Sequence, residues 1–157
     1  MSCDVAAAAF LMFTAAAGPS GARLQFADAA VPPPVSSQPL FQDIVGRAGR
    51  LKAEVETARA SLAGASAVVP LPGADAFAAD IGQLSALDQQ GSDWLKLHSS
   101  GDDLKCILHG ISQDLPVKLA AVKDAKTVHD EDLALRDMMF LLRDNVEVIT
   151  APPAPPA

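Results

Sequence analysis

The sequence contains no tyrosine, one tryptophan (Trp94) and two cysteines, and aromatic residues make up 4% of its 157 positions. Large side chains supply most of the energy of burial, at about 25 cal/mol per Å² of apolar surface. An aromatic-poor chain in which alanine supplies much of the apolar count therefore makes a thin core. Alanine is the strongest helix former, whereas strands favour β-branched and aromatic residues, so the composition suits helices better than sheets. Cys3 and Cys106 are too few to build a disulfide scaffold. Positive charge is also short: 12 Lys and Arg stand against 19 Asp and Glu, giving a net charge of −7 and a pI of about 4.7. Phosphate recognition draws on clustered Lys and Arg. Nucleic acid is therefore not expected as the main partner, nor is an anionic membrane surface.

Motifs of catalysis are missing as well. The chain has no GxSxG, no CxxC, no HxxxH and no glycine-rich phosphate loop leading to a lysine. Cys106 and His109 are three apart and could face one metal ion on a helix. A zinc centre takes four ligands, three plus water when catalytic, and only Asp102, Asp103 or His98 could complete a set. The same pair lacks the orienting group that a thiolate nucleophile needs. Asp102-Asp103 and Asp130-Glu131-Asp132 read as helix-start charges, where carboxylates meet the positive end of the dipole, rather than as acid–base pairs. His109-Gly110 lacks the basic, small-residue surroundings expected of a phosphotransfer histidine. The expectation is a chain that is not an enzyme and has no cofactor, no metal and no small-molecule substrate.

What the sequence does contain is organised along its length. Val5 to Ala17 is an uncharged apolar run, too short for a membrane-spanning helix of about 20 residues. It has the length of a signal-peptide core, but Asp4 precedes it and no Lys or Arg does, against the usual pattern of a cleaved signal. Pro32, Pro33 and Pro34 then favour extended geometry. Residues 1–38 are expected to be a disordered, uncleaved leader and linker, 39–150 a helical domain, and 151–157 a proline-rich tail. The fold class is all-α, with about four elongated or loosely packed helices.

The first helix is expected over 39–64. Phe41, Ile44, Ala48, Leu51, Val55, Ala58 and Leu62 recur at spacings of three and four, an a/d seam. Gly46 and Gly49 weaken its early turns by up to about 1 kcal/mol each relative to alanine, so this helix needs a partner. A second helix is expected over 74–90, with Phe77, Ile81, Leu84 and Leu87 on one side and Gly91 ending it before a short piece with Trp94, Leu95 and Leu97. A third, over 101–113, carries Leu104, Ile107, Leu108 and Ile111, with Pro116 breaking or kinking it. The last runs over 130–149, with Leu135, Met138, Leu142, Val146 and Ile149 inward. Leu133, Phe140 and Leu141 lie off that stripe. A helix apolar on more than one face is fully buried or shared between neighbours, and both arrangements fit the pattern.

The stretch SGDDLKCILHGISQDLPVKLAAV, a polar break, and DEDLALRDMMFLLRDNVEVI resembles the C-terminal half of type III secretion inner-rod proteins, a family that includes inner-rod-like nodulation proteins of rhizobia. Gly101-Asp102 with Leu104, Ile107, Leu108 and Ile111 resembles the family's first C-terminal helix. Asp132-Leu133 with Leu135, Met138 and Met139 resembles its second. The resemblance covers residues 101–149. The proline tail and the long Phe41–Leu62 seam depart from the family pattern. It implies a non-enzymatic subunit that self-associates, or packs on other secretion-machinery subunits, through its C-terminal helices, and that is exported from the bacterial cytoplasm through the apparatus. The partner-binding residues expected are Leu133, Phe140 and Leu141 on the last helix and Phe41, Leu51 and Val55 on the seam. The alternative is a helical adaptor or chaperone that holds one partner helix on the 41–62 seam.

Overall fold

The computed structural model describes residues 34–98 and 102–151. Among them the chain is all-α. A 3-10 turn at Val35–Ser37 precedes four helices: α1 Pro39–Ser61, α2 Ala74–His98, α3 Asp102–Asp124 and α4 Val128–Thr150. Of the leader and linker expected at 1–38, residues 1–33 lie outside the described residues, as do 152–157 of the tail expected at 151–157. Within the expected linker, Val35–Ser37 instead form the 3-10 turn, and Val35 packs on the core.

Each helix packs beside its neighbours in sequence, and α1 packs on α4, closing a four-membered ring. Cross-helix contacts fix the directions. Arg50 of α1 reaches Asp80 of α2, and Phe41 meets the Trp94 ring edge-on at 5.6 Å. Ser85 and Ser92 of α2 donate to the carbonyls of Ser112 and Lys105 on α3, each at 2.7 Å. Lys118 of α3 meets Asp137 of α4 at 3.4 Å, and Arg59 in the last turn of α1 meets Asp132 in the first turns of α4 at 2.8 Å. Each pair runs antiparallel, so the bundle alternates up and down, as short helix–helix connections favour. α2 and α4 lie across the diagonal, with no Cα–Cα approach within 8 Å.

The seam expected on α1 is the centre of this bundle. Phe41, Ile44, Ala48, Leu51 and Val55 are 0% exposed, and Ala58 and Leu62 are buried with them. Phe77, Ile81 and Leu84 of α2, and Leu135, Met138, Leu142 and Ile149 of α4, complete the same cluster. The expectation that Phe41, Leu51 and Val55 face a partner is thus corrected. Large apolar side chains at a/d spacing are closed over by whichever helices reach them first, and here these belong to the same chain.

Two boundaries expected from local chemistry are also corrected. Gly91 does not end a helix; α2 runs through it to His98. Gly91 and Ser92 are buried, and a Cβ at Gly91 would meet Leu108, Ile44 and Phe41 side chains at 3.2–3.3 Å. The small residues are there for close helix approach. Pro116 lies inside α3, which continues to Asp124. Proline has no N–H, so it leaves the carbonyl four residues earlier without its ladder donor. That carbonyl is Ser112 O, the one that takes the Ser85 hydroxyl from α2. The neighbouring helix replaces the hydrogen bond that the proline removes.

The connection between α1 and α2 is held at both ends. Gly64 (φ 78°) and Gly73 (φ 67°) adopt the left-handed backbone that glycine tolerates best. Between them the Val69 N–H donates to the Glu131 carboxylate at 3.0 Å. Glu131, read from sequence only as a helix-start charge, is 3% exposed and pins this loop to α4. Thr127 caps α4, accepting from Asp130 N at 3.1 Å while its hydroxyl donates to Asp130 Oδ2 at 2.7 Å.

Candidate functional site

With the α1 seam closed, the large apolar side chains left exposed are Leu97 (82%), Val117 (63%), Phe140 (39%) and Ile107 (36%) among the described residues. Phe140 and Val117 lie within one helical turn of the Lys118–Asp137 tie between α3 and α4. Phe140 is offset from Met138 by two residues, about 200° of helix rotation; Met138 at 0% exposure fixes the inward direction, and Phe140 faces out. Arg143, one turn on, sets its guanidinium 5.0 Å from the Phe140 ring centroid while meeting Asp144 and Glu147. A cation over an exposed ring contributes about 0.5–1 kcal/mol, less than covering the ring would.

The other residues expected on this face are split between core and edge. Leu141 is half-buried and packs against the core, as does Met139. Leu133 is half-buried at a shallow groove between the end of α3 and the start of α4, lined also by Ala121, Ala125 and Ala134 and edged by Asp124, Lys126, Asp130 and Asp137. The structure therefore places Leu133, Phe140 and Leu141 on α4, with Phe140 the most exposed of the three. A second groove, about 380 Å³, lies between the C-terminal half of α1 and the start of α2, lined by Ala53, Thr57, Ala58, Leu71, Pro72 and Phe77, with Arg50 and Glu54 at its rim. Arg50 is engaged with Glu54 and Asp80.

Among the described residues, those weighed for metal or nucleophilic chemistry do not converge. Among the described residues no three of His, Cys, Asp and Glu are grouped to hold a metal ion. His109 Nδ1 is 2.9 Å from Gln89 Oε1 and its Nε2 is 3.1 Å from Gln113 Nε2. The amides fix the tautomer: Nδ1 donates to Gln89, Nε2 accepts from Gln113, and both ring nitrogens are occupied. His98 donates from Nδ1 to Trp94 O at 2.7 Å and stacks on the Trp94 ring at 3.9 Å. On the surface, Lys96 first and then Gln89 hold Asp93 below the usual carboxylate range. Arg136, then Lys118, do the same for Asp137.

One polar pair lies in the interior and had no place in the sequence reading. Asp88 of α2 and Asn145 of α4 are each 0% exposed. Asn145 Nδ2 donates to Asp88 Oδ2 at 2.8 Å, bridging the diagonal of the bundle. The signal was present: Asp88 continues the Phe77–Ile81–Leu84 stripe, and Asn145 sits between Leu142 and Ile149 on theirs.

Comparison with protein families, curated proteins and solved structures finds no match to this chain.

Proposed function

We propose that this protein is a non-enzymatic assembly subunit of a bacterial protein-secretion apparatus, packing on copies of itself or on neighbouring subunits through α3 and α4. The observation that carries the proposal is Phe140, 39% exposed on the outer face of α4 beside half-buried Leu141, with Val117 exposed on the adjoining helix. At 39% exposure Phe140 leaves part of a large apolar ring in water, surface that a partner would cover. The residues that resemble inner-rod proteins, 101–149, cover these same two helices. The adaptor alternative loses its intended surface, since a partner helix on the 41–62 seam would have to displace α4 or α2.

A photo-crosslinking side chain placed at position 140 tests the reading in cells. Capture of a second copy or of an apparatus component is the expected result. Crosslinking to neither, at wild-type expression, would refute it.

A further inference from the structure

We infer that Asp88 and Asn145 form a neutral acid–amide pair, Asp88 Oδ1–H donating to Asn145 Oδ1, and that loss of this proton is a built-in pH-sensitive release between α2 and α4. Two buried oxygens of this pair have no hydrogen-bond partner. Asn145 Nδ2 satisfies Asp88 Oδ2, but Asp88 Oδ1 and Asn145 Oδ1 are buried with no donor. An ionised carboxylate and an amide oxygen are both acceptors, and buried acceptors left unmatched are costly. A carboxylic acid opposite a primary amide is self-complementary: the amide N–H serves one acid oxygen, and the acid O–H serves the amide oxygen. One proton on Asp88 satisfies both orphans and removes a charge from the middle of the core.

The surroundings agree. Among the described residues this is the hydrogen bond that links the diagonal helices. On α1, Asp43, Arg47, Arg50 and Lys52 flank Ile44, Ala48 and Leu51, and they pair with one another, Gln83, Asp80, Glu54 and Glu56 at the surface. On α3, Lys105 and His109 flank Leu108, with His109 bonded to Gln89 and Gln113. On α4, Arg143, Asp144 and Glu147 flank Asn145 and bond among themselves. On α2, Asp93 pairs with Lys96. Burial pushes the Asp88 carboxyl up to about 7, the Asn145 hydrogen bond opposing it, with no charged neighbour among the described residues contributing.

The sign follows from linkage. In the unfolded chain Asp88 ionises near 3.8, and in the folded chain near 7. Between those values the native state holds a proton that the unfolded state has lost. The pair's contribution is complete below about pH 4, falls by about tenfold in the folding equilibrium per pH unit as pH rises, and is gone above about 7.

The test combines denaturant unfolding of the full chain from pH 5 to 8.5 with Asp88→Asn. An amide at 88 reproduces the protonated pairing at every pH. Because unfolded Asp88 is already ionised at pH 5, the variant is expected to exceed wild type there by about tenfold in the folding equilibrium, and by about a thousandfold at pH 8.5. Equal destabilisation at both pH values would overturn the inference. The carboxyl carbon shift of Asp88 in wild type, assigned by its loss in the variant, decides the matter independently of variant folding. A midpoint near 7 supports the pair, and one near 4 refutes it.

Discussion

α1 and α4 are alike on paper and differ in what they leave uncovered. Both are 23 residues long, they pack antiparallel, and each presents an apolar stripe at helical spacing. On α1 the stripe from Phe41 to Val55 is wholly closed, and the opposite side carries Arg50, Glu54 and the exposed Gly46 and Gly49. On α4 the stripe is closed too, yet Phe140 remains on the far side with Leu141 and Leu133 at the margins. The α1 stripe is consumed by the chain's own fold, whereas α4 keeps one off-stripe phenylalanine, Phe140, partly in water.

The largest effect is expected where the stripe is broken. Leu51→Asp buries an unpaired carboxylate where no donor waits and should cost several kcal/mol, about enough to unfold a marginal domain. Circular dichroism with a melt reads it directly. An unchanged midpoint would mean that the α1 stripe is open after all.

A smaller effect, also internal, is expected at Ser85. Ser85→Ala leaves the Ser112 carbonyl without the donor that compensates for Pro116 and should cost about 1–3 kcal/mol. The cost should shrink in a Pro116→Ala background, where the restored N–H serves the same carbonyl. A double-mutant cycle by urea unfolding measures the coupling, and zero coupling would contradict the compensation.

The outer side of α1 should behave in the opposite way. Gly49→Ala meets nothing within 4 Å of its new Cβ and should stabilise by about 0.5–1 kcal/mol. At Gly91 the same change presses on Leu108, Ile44 and Phe41 and should bring no such gain. Equal responses at the two glycines would show that α2 is not packed as closely as described.

These contrasts also show what could be read from sequence. The α1 seam was legible residue by residue because a period of three and four survives burial. The stripes of α2 and α4 were legible for the same reason, though Val146 and Leu87 are only half-buried. On α3 the expected face is divided: Leu108 and Ile111 are buried, but Ile107 reaches 36% exposure. Gly91 and Pro116 were misread because the local rules for helix ends describe an isolated helix. Tertiary contact overrode both, by demanding a small residue at one and by supplying a hydroxyl at the other. The Asp88–Asn145 pair was invisible as a pair, since nothing in a single sequence says which two polar breaks in two stripes will meet. Phe140 was legible as off-stripe, but how much of it stays exposed was not.

Mass in solution across concentration, for wild type and Phe140→Ser, tests the account most directly. Since Phe140 lies at the outer face of α4 with 39% of its surface exposed, the substitution should cost about 1 kcal/mol, far less than Leu51→Asp. Wild type should grow in mass as concentration rises, and Phe140→Ser should stay monomeric at the same helix content. A wild type that remains a monomer throughout, or a variant that unfolds, would contradict the claim that the outer face of α4 is kept for another chain.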